Sequence, residues 1–303
     1  MSAAIEAFHE AITAAGLAPP DTIHDDGVIH RFSTNGRRSD DSGYYVLHTD
    51  GIPAGSFGCW RAGLQSTWCS KSDSTMTTAE REAHRQRIKA MKVQREAEQV
   101  QRQQKASQTA AALWKQASPV TAHPYLTTKA IQPHGIKTFG DKLVIPMRDT
   151  AGTLHSLQTI APDGGKLFHP GGRVKGCYFG IGRPAGRLIV CEGFATGASI
   201  HEATGDAVAV AFNAGNLGAV TMALHKKYPA LAIVIAADDD HLTDGNPGLT
   251  SAKSAAMSVG GFVVAPQFPP GRPAKATDFN DLHQIAGVDA VRACFSEIWE
   301  FVC

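Results

Sequence analysis

From Arg187 onward the chain repeats one pattern four times: a short run apolar at nearly every position, a turn, and a stretch of helical composition. RLIVCEG (187–193) leads into FATGASIHEATG (194–205). DAVAVAF (206–212) closes in NAGN (213–216) and leads into LGAVTMALHKKYP (217–229). LAIVIAADDD (231–240) precedes PGLTSAKSAAMSVGG (247–261), and GFVVAPQF (261–268) precedes AGVDAVRACFSEIWEFV (286–302). Runs that do not alternate apolar with polar are strands buried on both faces. Strands separated by helices pair in parallel, which predicts an α/β parallel sheet covered by helices on both sides. Pro247 at a first turn and Gly260-Gly261 at an end mark the third helix.

That arrangement gives meaning to the carboxylates. Ligands of open α/β sheets bind beyond the carboxyl ends of the strands. Glu192 ends the first strand, Asp238 to Asp240 end the third, and DFND (278–281) follows the fourth. Side chains alternate along a strand, so Asp238 and Asp240 point one way and Asp239 another. If the first and third strands are neighbours, Glu192, Asp238 and Asp240 meet at one edge, with Asp278 and Asp281 in reach. Like charges so gathered repel and drive pKa values up, and a divalent cation with oxygen ligands relieves this. Aspartates also end strands simply because they suit turns; the convergence of three separate acidic segments argues for the metal.

Composition narrows the classes. With 303 residues, 43% hydrophobic and 19% charged, the chain is long enough for two or three domains of ordinary globular character. No apolar run suits a membrane span and the start of the chain lacks a secretory signal, so a cytoplasmic protein without a membrane partner is expected. Cys59, Cys69, Cys177, Cys191, Cys294 and Cys303 form no CxxC pair, which argues against a disulfide framework and against zinc. His48, Cys59 and Cys69 would bind a metal only in an unusual arrangement. A net charge of +1 hides a local excess of cations. Between 123 and 187, Lys129, Lys137, Lys142, Arg148, Lys166, Arg173, Lys175, Arg183 and Arg187 face only Asp141, Asp149 and Asp163. In the same stretch LVIPM and LHSLQTI read as strands flanking a turn at Asp149 to Gly152. GGKLFHPGG there lacks the GxxxxGK[ST] pattern of a phosphate loop.

Upstream, residues 77–117 contain no Gly or Pro and read as one long helix without a heptad register. It is either a solvated linker or a phosphate-contacting rod, docked or swinging free. Residues 27–70 read as a small antiparallel β unit. Arg31, Arg37, Arg38, Arg61, Tyr44, Tyr45, Trp60 and Trp68 there form a base-stacking surface, or else the aromatics fill the unit's core.

CEGFATGAS followed by AADDDH, with 46 residues from Glu192 to Asp238, resembles a Toprim domain. EGFATGA is similar to the EGYATA-type motif of plasmid and satellite-phage primases. HPYLTTKAI and LVIPMRDTAGTL resemble segments of the catalytic core of DnaG-type primases. The resemblance covers about residues 119–290. It departs from replicative primases in carrying Thr196 where they usually have an aspartate, and in lacking their zinc-binding domain. It implies a Toprim-type sheet flanked by helices (187–303), preceded by a basic α+β subdomain (119–186), a basic linking helix (73–118) and an N-terminal β-rich DNA-binding unit (1–72).

The resemblance also implies roles. Asp238 and Asp240, with Glu192 as further ligand or proton handler and Asp278 or Asp281 completing the set, would hold one or two Mg²⁺ or Mn²⁺ ions. Asn213, Asn216 and Arg148 would position nucleotide phosphates. Arg148, Lys166, Arg173 and Lys175 would hold single-stranded DNA or a nucleoside triphosphate by charge-assisted bonds. The implied activity is DNA primase for a plasmid, phage or integrated element, with a replicative helicase as a further partner. A Toprim nuclease and a non-catalytic single-strand-binding accessory protein are the alternatives.

Overall fold

The computed structural model describes residues 2–37, 40–59, 62–71 and 76–301. Arg38, Trp60 and Arg61 of the expected stacking surface, and Cys303, lie outside them. The chain divides into two compact units, residues 1–97 and 98–303.

The first unit opens with α1 (Ala3–Ala14), capped by the Ser2 hydroxyl, which accepts the Ile5 N–H. Four strands follow as an antiparallel meander in the order of the sequence: β1 (His30–Phe32), β2 (Gly43–His48), β3 (Ala54–Cys59) and β4 (Leu64–Cys69). Alternate residues of β2 are buried, the signature of a sheet with one covered face. Phe8 and Ile12 of α1 cover that face together with Tyr45, Leu47 and Phe57, and Trp68 packs against them. Tyr45 and Trp68 therefore belong to the core-filling reading of the aromatics. Cys59 pairs with Leu64 at one end of the β3–β4 hairpin and Cys69 with Ala54 at the other, so the two thiols do not share a site.

Helix α2 (Thr78–Gln116) carries residues of both units. In the second unit its apolar side docks rather than swings: Ala110, Leu113 and Trp114 pack on Val144, Leu154 and Leu157. The Ser107 hydroxyl donates to the Leu154 carbonyl at 2.6 Å, fixing the register of the helix on the sheet beneath. That sheet is antiparallel, ordered β5 (Ser118–Pro119), β6 (Lys137–Phe139), β7 (Lys142–Arg148), β8 (Leu154–Ile160), β9 (Lys166–Phe168), with α3 (Pro124–Lys129) after β5. The expected β7–β8 turn forms because the Asp149 carboxylate accepts the N–H groups of Ala151 and Thr153. Gly164 and Gly165 lie in the next turn, and Lys166 opens a strand rather than a helix, so no phosphate loop exists there.

The remaining elements are β10 (Phe179–Ile181), β11 (Arg187–Cys191), α4 (Phe194–Thr204), β12 (Ala207–Val210), α5 (Ala214–Lys227), β13 (Ala232–Ala236), α6 (Pro247–Met257), β14 (Phe262–Val264) and α7 (Phe279–Phe301), which is interrupted at Gly287. The strands order as β10-β12-β11-β13-β14. The four strands expected to be parallel are parallel. To these four the structure adds a fifth strand at one edge, where β10 pairs antiparallel with β12. The reason lies in the chain path. Arg148 and Tyr178 exchange backbone hydrogen bonds of 3.0 and 2.8 Å, so the residue before β10 is held against the end of β7 and the chain joins this sheet upstream of residue 187.

Side chains of the central strands alternate between two cores. Ile189, Cys191, Val208, Val210, Val234 and Ala236 face α4 and α7. Leu188, Val190, Ala207, Ala209, Ile233 and Ile235 face α5 and α6. Gly197 brings α4 against the sheet. A Cβ there would stand 2.8 Å from Val210 Cγ2 and 3.1 Å from Cys191 Sγ.

Candidate active site

Adjacent, parallel β11 and β13 run to the same sheet edge, where Glu192 and Asp238 follow their last residues. Glu192 Oε1 and Asp238 Oδ1 are buried and have no hydrogen-bond partner in the protein. Burial first, then Asp240 and Asp278, push the Glu192 carboxyl up to about 7, against the Ala214 N–H that favours its charged form. Asp238 is raised well above the usual carboxylate range by burial and by Asp278, Glu192 and Asp240, with Lys166 opposing. Four carboxylates, Glu192, Asp238, Asp240 and Asp278, thus lie within electrostatic reach of one another.

The Asp cluster is shaped by groups the sequence does not advertise. Asp239 turns away, as strand alternation requires. Partial burial would raise its pKa, but its bonds to Arg272 and Asn246 hold the carboxyl below the usual range. Arg272 also donates to the Asp239 carbonyl at 2.9 Å and the Ala276 carbonyl at 2.8 Å. Asn246 bonds both neighbours: its Nδ2 donates to Asp239 Oδ1 at 2.7 Å, and its Oδ1 accepts the Asp240 N–H at 2.9 Å. The Gly248 N–H then donates to Asp240 Oδ2 at 3.0 Å. A Cβ on Gly248 would stand 2.6 Å from the Asp238 carbonyl oxygen, too close for the backbone to tolerate unmoved. Gly248→Ala is expected to cost about 1–3 kcal/mol of stability, the range for overpacking, read by thermal denaturation.

Asp278 and Asp281 brace the start of α7. The Asp281 N–H donates to Asp278 Oδ1 at 2.8 Å, and Asp281 Oδ2 accepts the Thr277 N–H at 2.9 Å. Asp278 Oδ2 accepts the Thr196 hydroxyl at 3.1 Å, so Thr196 supports the cluster with a neutral donor where a carboxylate would add charge. Asp281 Oδ1 stands 3.8 Å from Lys129 Nζ. Of the expected pair, Asp278 faces the other carboxylates and Asp281 serves the helix start behind it.

The expected phosphate-binding groups separate in the same way. Lys166 lies in the field of Asp278 and Asp238. Its surroundings lower its pKa foremost by desolvation, Asp278 and Asp238 oppose, and Lys129 adds to the lowering. Arg148 instead donates to the Gly152 carbonyl at 2.9 Å, and Arg173 to Asp149 Oδ2 at 3.3 Å, both at the β7–β8 hairpin. Lys175 is exposed. The Asn216 side chain is buried, donating to the Cys177 and Ala211 carbonyls at 2.9 and 2.8 Å and accepting the Gly176 N–H at 2.8 Å. It fastens the loop before β10 to the end of β12. Asn213 stands at the start of α5 with no side-chain cap bond.

Among the described residues no three His, Cys, Asp or Glu side chains gather closely enough to enclose an ion by themselves. The unpartnered oxygens of Glu192 and Asp238 nevertheless fit a hard divalent cation. Mg²⁺ in particular keeps waters and substrate phosphates among its ligands and takes only one or two carboxylates.

A strand-ordered α/β sheet with a glutamate after the first repeat and an aspartate pair after the third defines a class, and residues 187–289 match the family described as Toprim domain. The chain carries a Toprim domain. Beyond it, the chain is 39% identical over 284 residues to DNA primase TraC of Escherichia coli, covering 87% of this chain and 26% of that protein. A second Escherichia coli DNA primase TraC is 36% identical over 285 residues, covering 88% of this chain and 20% of its own length. The chain thus spans about a quarter or less of the curated relatives it matches. A DnaG primase catalytic domain bound to ssDNA superposes with a TM-score of 0.45 at 13% identity, over 66% of this chain and 80% of that one.

Sequence reasoning missed Arg272, Asn246 and Gly248 as site builders. Asn246-Pro247 carried a signal, a capping residue before proline at a helix start. Arg272 carried none, because its partner Asp239 is 33 residues away.

Proposed function

We propose that this chain synthesises short oligonucleotide primers on single-stranded DNA from nucleoside triphosphates, in the cytoplasm and in the service of a mobile element's replication. The observation that supports this reading best is the pair of buried, unpartnered carboxylate oxygens, Glu192 Oε1 and Asp238 Oδ1, at one edge of a Toprim sheet. Identity to DNA primase TraC across most of this chain supports the same reaction class. Glu192, Asp238 and Asp240 would hold Mg²⁺ or Mn²⁺, with Asp278 behind them. Such an ion, when bound, polarises the α-phosphate and offsets charge on departing pyrophosphate.

The protein's own groups have distinct tasks. Lys166 places a cation opposite the carboxylates, where a triphosphate's oxygens need one. Asp239, tied to Arg272, keeps the aspartate run from adding a further free charge to the mouth. A 3′-hydroxyl oxygen forms the new bond to the α-phosphorus as the bond to the bridging oxygen breaks. Glu192, where it does not ligate the ion, would take the hydroxyl proton. The 1–72 unit and the linking helix would hold the template, and the stretch 119–186 would carry the basic wall of the cleft.

Purified protein, single-stranded DNA of mixed sequence, labelled nucleoside triphosphates and Mg²⁺ or Mn²⁺ form the test. Short template-dependent products are expected. Shortening of the DNA without new products would assign a nuclease, and DNA binding with neither reaction would assign an accessory protein.

A further inference from the structure

The end of β12 contributes to the same mouth as β11 and β13, and what it contributes is aromatic. The Ala211 N–H donates to the Cys191 carbonyl at 2.8 Å just past the end of β12, and Phe212 follows it in the turn that leads into α5. Phe212 holds φ at +73°, a left-handed conformation that bulky residues adopt only under constraint and that clusters at functional sites. Its ring is met edge-on by Phe168, with centroids 6.3 Å apart and planes at 79°. Phe168 is 38% exposed although it has this apolar partner. It lies two residues along β9 from Lys166 and so on the same side of the strand, while Leu167 between them points the other way and is 67% exposed. The face that carries the cation opposite Asp238 and Asp278 therefore also carries a half-open ring, backed by a second ring whose backbone is strained.

We propose that Phe168, backed by Phe212, is a stacking platform for the nucleobase of a nucleotide whose phosphates engage Lys166 and the carboxylate mouth; its ligand class rests on the polynucleotide-synthesis reading. A ring face accepts any base, so the platform adds affinity without choosing sequence, as a primer-forming site on mixed templates requires.

The test measures dissociation constants of the full chain for ATP, for inorganic tripolyphosphate and for a thymidine oligonucleotide, with Ca²⁺ present, in the parent, Phe168→Ala and Phe168→Trp. Phe168→Ala is expected to weaken ATP about tenfold, within the range for loss of one stacked base, and to leave tripolyphosphate unchanged. Phe168→Trp should restore ATP binding. Weakening of the oligonucleotide instead of ATP would keep the platform and assign it to a template base. Unchanged binding of both, or equal loss of ATP and tripolyphosphate, would overturn it. Unchanged ATP binding in Phe168→Ala, where the parent protein makes primers, rejects the platform alone, whereas selective loss of ATP binding in Phe168→Ala, where the parent makes none, rejects the synthesis reading alone.

Discussion

Asp238→Asn is expected to lose primer synthesis by about a thousandfold or more and, in metal-free buffer, to melt at a higher temperature than the parent. The first effect follows from removing an unpartnered carboxylate oxygen where a cation's contribution is worth several kcal/mol, each 1.4 kcal/mol being about tenfold in rate. The second follows from the same oxygen's surroundings. Asp238 sits among Asp278, Glu192 and Asp240, and its charged form is disfavoured by burial before any of them. A neutral amide of the same shape relieves that repulsion and has carboxylate acceptors beside it. In a domain of this size about 1 kcal/mol of relief reads as about 2–4 °C. Primer assays and calorimetry on one preparation check both halves. A variant inactive because it is less stable would contradict the assignment.

The second large effect is on the coupling of stability to pH and metal. Glu192 binds its proton more tightly folded than unfolded, with a pKa of about 7 against an ordinary 4.5. Between those values the unfolded chain releases the proton while the folded one keeps it, so folding stability falls as pH rises through that window and levels off above it. Asp238 and Asp278 shift in the same direction. Melting temperature without metal is therefore expected to drop between pH 5 and pH 8, and Mg²⁺ to recover more of it at pH 8, where protons no longer compete for the oxygens. The lowered carboxyls Asp239 and Asp149 act oppositely but only at lower pH. An equal response to Mg²⁺ at both pH values would refute the shared site.

Much of this was legible in the sequence, for a definite reason. Short parallel strands buried on both faces leave no polar alternation, so RLIVC and AIVIA announce themselves, and once β11 and β13 are neighbours Glu192 and Asp238 share one sheet edge. What escaped depends on distant partners. The antiparallel β10 joins the sheet by pairing with β12, next to a bridge between Tyr178 and Arg148 of β7, contacts no local pattern encodes. Asn216 looked like a turn residue and proved to be a buried fastener, because the carbonyls it serves belong to other elements. The bonds of Arg148 and Arg173 at the Asp149 hairpin likewise join residues that no local pattern pairs.

The bonds that hold the carboxylates have a consequence for how the mouth exists without a metal. Ala214 at the start of α5 meets Glu192, Gly248 at the start of α6 meets Asp240, and Asp281 in the first turn of α7 meets Asp278. Parallel strands with helical crossovers aim every following helix by its amino end toward the same sheet edge. The partial positive charge of about half an electron at each such end acts as a built-in countercharge. Three of these carboxylates are therefore tied at once to chemistry and to the start of a helix, so Asp240→Asn should weaken α6 as it disables the site. Asp238, which takes no such bond among those described, is where activity and folding can be separated by a single substitution.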